Sequence, residues 1–156
     1  MILCYALTLV VFCMLTLSGL QGYFGFEILR ASHASFAILA ITLYLFTETL
    51  IIFYFVGIGV SVKEYVQENR LASDYRQRLI KIKRTVYPPI LFNMLLVMGL
   101  FISGGAVDTK YLPPWSHHLL FYVSLIHFLK TALIEHRAFR ETTALILDMV
   151  GVKRNF

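Results

Sequence analysis

Charge is what this chain has least of. Only 15% of its 156 residues are Asp, Glu, Lys or Arg, whereas charged residues approach about a quarter of a soluble domain. With 58% hydrophobic residues and a mean hydropathy of +0.73, a water-soluble fold is excluded. Cysteine is nearly missing too. Cys4 and Cys13 stand nine residues apart, on opposite faces of a helix at about 100° per residue. They cannot bridge each other, and without a CxxC pair a membrane thiol oxidase is excluded as well. The chain contains no glycine-rich phosphate loop, no HExxH and no GxSxG, which argues against a hydrolase. It also has no internal repeat of the kind on which many transporters are built.

What the sequence does have is length of apolar chain. Residues 34–62 form a nearly unbroken run whose only ionisable side chain is Glu48, and about 20 such residues cross the roughly 30 Å hydrocarbon core. Similar runs at about 2–24, 89–107 and 117–136 make four. The first lacks the positively charged start of a secretory signal and is expected to be a retained membrane helix. The expected fold is an all-α membrane bundle of four transmembrane helices forming a single domain over 1–156. A basic amphipathic cytoplasmic segment lies between helices 2 and 3, and an interfacial segment is expected at 138–156.

Orientation follows from the basic residues. Residues 63–88 carry seven Lys or Arg and the stretch after the fourth helix four, while the other two connections hold only Arg30 and Lys110. The positive-inside rule therefore expects both termini in the cytoplasm of a bacterial-type inner membrane. Within 63–88, Tyr75, Leu79, Ile82 and Val86 recur at spacings of four, three and four among Arg and Lys. This is the pattern of a helix lying on anionic lipid or docking a soluble partner. The net charge of +5 belongs to these flanks, so nucleic acid is not an expected partner. Pro88 and Pro89 are expected to open the third helix and Ser116, after Pro113-Pro114-Trp115, to cap the fourth.

Two sets of polar groups could carry chemistry. His33 starts the second helix, and His117 and His118 start the fourth. Both helices run from outside to inside, so the three imidazoles share a depth. If the two helices are neighbours, His33 with His117 or His118 could be axial ligands of one b-type haem, or part of a metal site. Hydrated interfacial histidines are the plainer alternative. A second haem is not expected, since the inner side offers only His136.

The second set is intramembrane: Glu48 on the second helix, Asn93 on the third, and His127 and Lys130 on the fourth. A carboxylate at that depth requires a partner or a proton, and pairing Glu48 with His127 or Lys130, assisted by Asn93, would supply one. The same groups could form a proton relay or a quinone contact. Glu135, nearer the inner interface, is expected to be hydrated, although His117, Ser124, Thr131 and Glu135 share one narrow helical face. Gly22, Gly25, Gly99, Ser103, Gly104 and Gly105 would permit close helix approach. Phe46, Phe53, Tyr54 and Phe55 read as an aromatic seam for another membrane subunit. Function is expected in one of two forms. One is an accessory or anchoring subunit of a larger membrane complex, without catalytic activity of its own. The other is an electron-transfer subunit with one b-type haem on the outer histidines.

Overall fold

A computed structural model describes residues 1–71 and 73–151. Four helices, α1 (Ile2–Phe24), α2 (His33–Glu68), α3 (Asp74–Asp108) and α4 (Pro114–Met149), form an antiparallel bundle in chain order. Each helix packs on the next, and α1 and α4 meet only lightly. Of the apolar window of each helix, only 17% to 33% is buried within the bundle. The remainder, including Leu9, Phe53, Ile102 and Ile126, faces outward. Apolar residues on the outside as well as the inside of four spanning-length helices identify an integral membrane protein.

Three helices are longer than their apolar runs. At 36, 35 and 36 residues and about 1.5 Å per residue, α2, α3 and α4 each extend about 54 Å, well beyond the hydrocarbon core. The excess lies at the basic end of the bundle. The segment expected to be a separate amphipathic helix is thus the shared extension of α2 and α3, which end at Glu68 and begin at Asp74. Its apolar stripe does not meet a membrane surface. Leu79, Ile82 and Val86 are buried with Val62, Phe139 and Leu145 of the neighbouring helices, so the stripe is core, and an exposed Arg78–Asp148 ion pair of 2.9 Å joins α3 to α4 beside it. The expected interfacial segment at 138–156 is likewise the end of α4 as far as Met149; residues 152–156 lie outside the described part.

Pro88 and Pro89 do not open α3 but sit inside it. A proline in a helix interior removes a hydrogen bond and costs about 3 kcal/mol, but Val86 and Ile90, both fully buried, pin the helix on either side of the pair. At the start of α4, Pro114 takes the first position. Ser116 caps nothing: its Oγ donates back to the Pro113 carbonyl at 2.7 Å. At the end of α1, Gly25 adopts a left-handed conformation (φ 68°) and its N–H bonds to the Gln21 carbonyl. The aromatic seam divides. Phe46 and Phe53 face outward, while Phe55 stacks on Phe139 and Tyr54 meets the same ring edge-on.

Candidate functional site

Antiparallel packing brings the C-terminal part of α1 and the start of α2 to the same end of the bundle as the end of α3 and the start of α4. Around their junction lies a cavity of about 670 Å³ lined by His33, His117 and His118 together with Gly19, Gly22 and Gly104. Two of these glycines make room for the histidines. A Cβ at Gly22 would stand 3.0 Å from the His33 ring, and one at Gly104 would stand 3.3 Å from His117. The small residues that suggested close helix approach serve here as recesses for imidazoles.

The ring centres of His33 and His117 are 6.5 Å apart, with planes at 78°. His118 turns away and stacks on Tyr23, ring centres 4.8 Å apart. Ser103 orients His117. Its hydroxyl donates to the Leu100 carbonyl at 2.7 Å, so its oxygen accepts from His117 Nδ1–H at 2.9 Å. That bond sets the tautomer and leaves Nε2 of His117 with a free lone pair. His33 Nδ1 is buried and makes no hydrogen bond within the described residues. The two imidazoles thus face the same cavity, and the tautomer of His117 leaves one of its nitrogens able to act as a ligand. Among the described residues no cluster of three or more His, Cys, Asp or Glu forms a metal cage.

About 15 Å deeper, at ten residues' rise along α4, a second group occupies the middle of the apolar layer. Asn93, fully buried, donates from Nδ2 to Tyr44 Oη at 2.8 Å, and its Oδ1 accepts from His127 Nδ1 at 3.0 Å. Thr131 Oγ1 lies 3.3 Å from the same His127 nitrogen. Asn93 and His127 meet as the sequence suggested, but their third partner is Tyr44, not Glu48. Tyr44 precedes Glu48 by one helical turn on the same face, and that spacing was the available signal.

Glu48 finds a different partner. Its carboxyl lies within hydrogen-bonding reach of that of Glu135, across the bundle from α2 to α4. Both residues are almost wholly buried, at 1% and 3% exposure. A hydrogen bond between two carboxyl groups requires one of them to carry a proton, so the two groups can satisfy each other when one of them is protonated. Glu48 Oε2 and Glu135 Oε1 have no further partner. The expected pairing of Glu48 with His127 or Lys130 does not form: His127 is engaged by Asn93, and Lys130 is on the outer face of α4. Nor is Glu135 hydrated. Because α4 continues to Met149, Glu135 lies within the bundle, on a face with Ser124, Thr131 and Thr142, all buried.

The polar groups thus form three tiers along one face of α4: His117 with His33, His127 with Asn93 and Tyr44, and Glu135 with Glu48. Compared with protein-family models, curated proteins and solved structures, the chain matches none.

Proposed function

We propose that the chain is a membrane electron-transfer subunit, binding one b-type haem through His33 and His117 and working within a larger membrane assembly. The observation that carries this reading is the separation of the two imidazoles. Two imidazoles that both held one metal ion would have ring centres within about 6 Å of each other, from two metal–nitrogen bonds of about 2 Å and the ring radii, and the observed value is 6.5 Å. The adjoining cavity and the glycine recesses support it, and Ser103 would hold His117 in the ligating tautomer. When bound, the haem supplies reversible one-electron chemistry. Around it, Gly22 and Gly104 would admit the rings.

The excess of Lys and Arg at the opposite end supports a cytoplasmic location for that end and for both termini, in a bacterial-type inner membrane. Its basic surface would meet anionic headgroups or a soluble partner. Lys130 favours the second reading, a purely anchoring subunit. It is exposed on the lipid-side face of a spanning helix, where an ammonium must reach the interface or be covered by a neighbouring subunit.

Optical spectra of the detergent-purified chain, oxidised and dithionite-reduced, separate the two. A reduced b-type spectrum at one haem per chain, lost in His33→Ala and His117→Ala but kept in His118→Ala, is the expected result. A featureless visible spectrum with stable co-purifying subunits would replace it with the anchor.

A further inference from the structure

We propose that the basic end of the seam between α2 and α3 binds the phosphate of an anionic phospholipid. The site presupposes only that this end of the bundle faces headgroups, as the charge distribution supports, and is independent of the haem. Lys83 of α3 lies directly against Gly59 of α2: its Nζ occupies the space that a Cβ at residue 59 would fill. Lys83 is half-buried there. Among the described residues its ammonium has no carboxylate partner, since Arg78–Asp148 is the only ion pair they contain. A charge drawn out of water needs a counter-charge.

Helical geometry gathers a second cation around the notch and no carboxylate of either helix. Lys63, exposed, is one turn beyond Gly59 and about 40° round α2, and its stem leans back toward Gly59 because side chains tilt toward the helix N-terminus. Glu64 and Glu68 are about 140° and about 180° from Gly59, and Asp74 is about 180° from Lys83. Gly59 stands near the inner end of the apolar run 34–62, the level at which hydrocarbon gives way to headgroups. Toward the membrane centre Val56 and Leu91, both exposed, continue the same side of the seam as apolar surface.

These features select the occupant. A phosphodiester accepts hydrogen bonds from both ammonium groups, and such bonds are stronger between charged partners than between neutral ones. A choline or ethanolamine headgroup would add a third cation beside two lysines. A lipid such as phosphatidylglycerol, whose only charge is its phosphate, avoids that repulsion, and its acyl chains would lie on Val56 and Leu91. An acidic soluble protein meets the bundle from water and does not reach a notch at the hydrocarbon edge, and free phosphate makes no use of the apolar surface below it.

The test is native mass spectrometry of the full chain in a non-ionic detergent, titrated with dioleoylphosphatidylglycerol or dioleoylphosphatidylcholine. A saturable phosphatidylglycerol adduct is expected at concentrations where phosphatidylcholine is not retained. Lys83→Gln and Lys63→Gln should each weaken it about fivefold, the equivalent of one basic residue at a membrane surface, and Lys83→Arg should keep it. Gly59→Leu, which fills the notch, should weaken it as much as Lys83→Gln. Lys81→Gln makes the same change of charge about 160° round α3 from Lys83. There, across the helix and beyond the Debye length of about 8 Å, it should change retention less than about twofold. Equal retention of the two lipids, equal loss in Lys81→Gln and Lys83→Gln, or displacement by glycerophosphate, which carries the phosphate without acyl chains, would each overturn the proposal. The readout is the mass of bound lipid, so its failure is distinct from the featureless visible spectrum that would refute the haem.

Discussion

Replacing Glu48 with leucine tests the acid pair at the point where the structure departs most from a simple reading of the sequence. The substitution removes one of two carboxyl groups that satisfy each other at 1% and 3% exposure. Glu135 is then left with both oxygens unpartnered, since Oε1 already lacks a partner. A protonated Glu135 would forfeit about 1–3 kcal/mol as an unsatisfied buried group. Were it to ionise instead, an isolated buried charge would cost about 3–5 kcal/mol. Either way the single substitution destabilises, even though leucine suits the bilayer better than glutamate. The double substitution Glu48→Leu/Glu135→Leu removes the orphan with its partner, and replacing a buried polar pair by apolar residues is commonly neutral or stabilising. The expected outcome is therefore strong non-additivity, with a coupling energy of about 1–3 kcal/mol. It can be measured by thermal unfolding of the four proteins of the cycle in one detergent, followed by circular dichroism and by monodispersity on gel filtration. Additive effects, or a stable Glu48→Leu protein, would refute the pairing. His127→Leu serves as the control: it should show no comparable coupling to Glu48.

Four further substitutions test other parts of the fold. Asn93→Leu strands the buried Tyr44 hydroxyl and leaves His127 Nδ1 only the Thr131 hydroxyl at 3.3 Å; it should lower stability by about 1–3 kcal/mol for the buried group left unpaired, with Tyr44→Phe recovering part of the loss in the same unfolding assay. Leu79→Ala should cost about 2–5 kcal/mol, because Leu79 is a core residue at 3% exposure, whereas the adjacent Arg78→Ala should cost less than about 1 kcal/mol for an exposed ion pair. Equal and small effects would return the basic segment to a leaflet surface, a result that flotation with anionic liposomes would show independently.

Much of this architecture was legible in the residues. Four apolar runs, each about as long as a bilayer is thick, dictate the solvent and the number of spans, because an apolar helix exposed on all sides is stable only in lipid. The polar face of α4 was legible as well, since Ser124, Thr131 and Glu135 repeat at helical spacing. So was the common depth of His33 and His117, which follows from two helices running in the same direction. The helix ends were not legible. Hydropathy reports where the hydrocarbon layer stops, but α2, α3 and α4 continue past it because Val62, Leu79, Ile82, Phe139 and Leu145 pack together beyond it. The partners were not legible either. Whether Glu48 meets His127, Lys130 or Glu135, and whether His117 or His118 faces His33, depends on the rotation and axial offset of helices far apart in sequence. Those are set by the packing of whole faces such as Tyr44 against Phe128 and Phe55 against Phe139. The sequence by itself determined the solvent, the four spans and the common depth of the outer histidines, because these depend on one helix at a time. Only the tertiary structure decided which polar groups meet, because a shift of one residue turns a side chain by about 100° and directs it to a different neighbour.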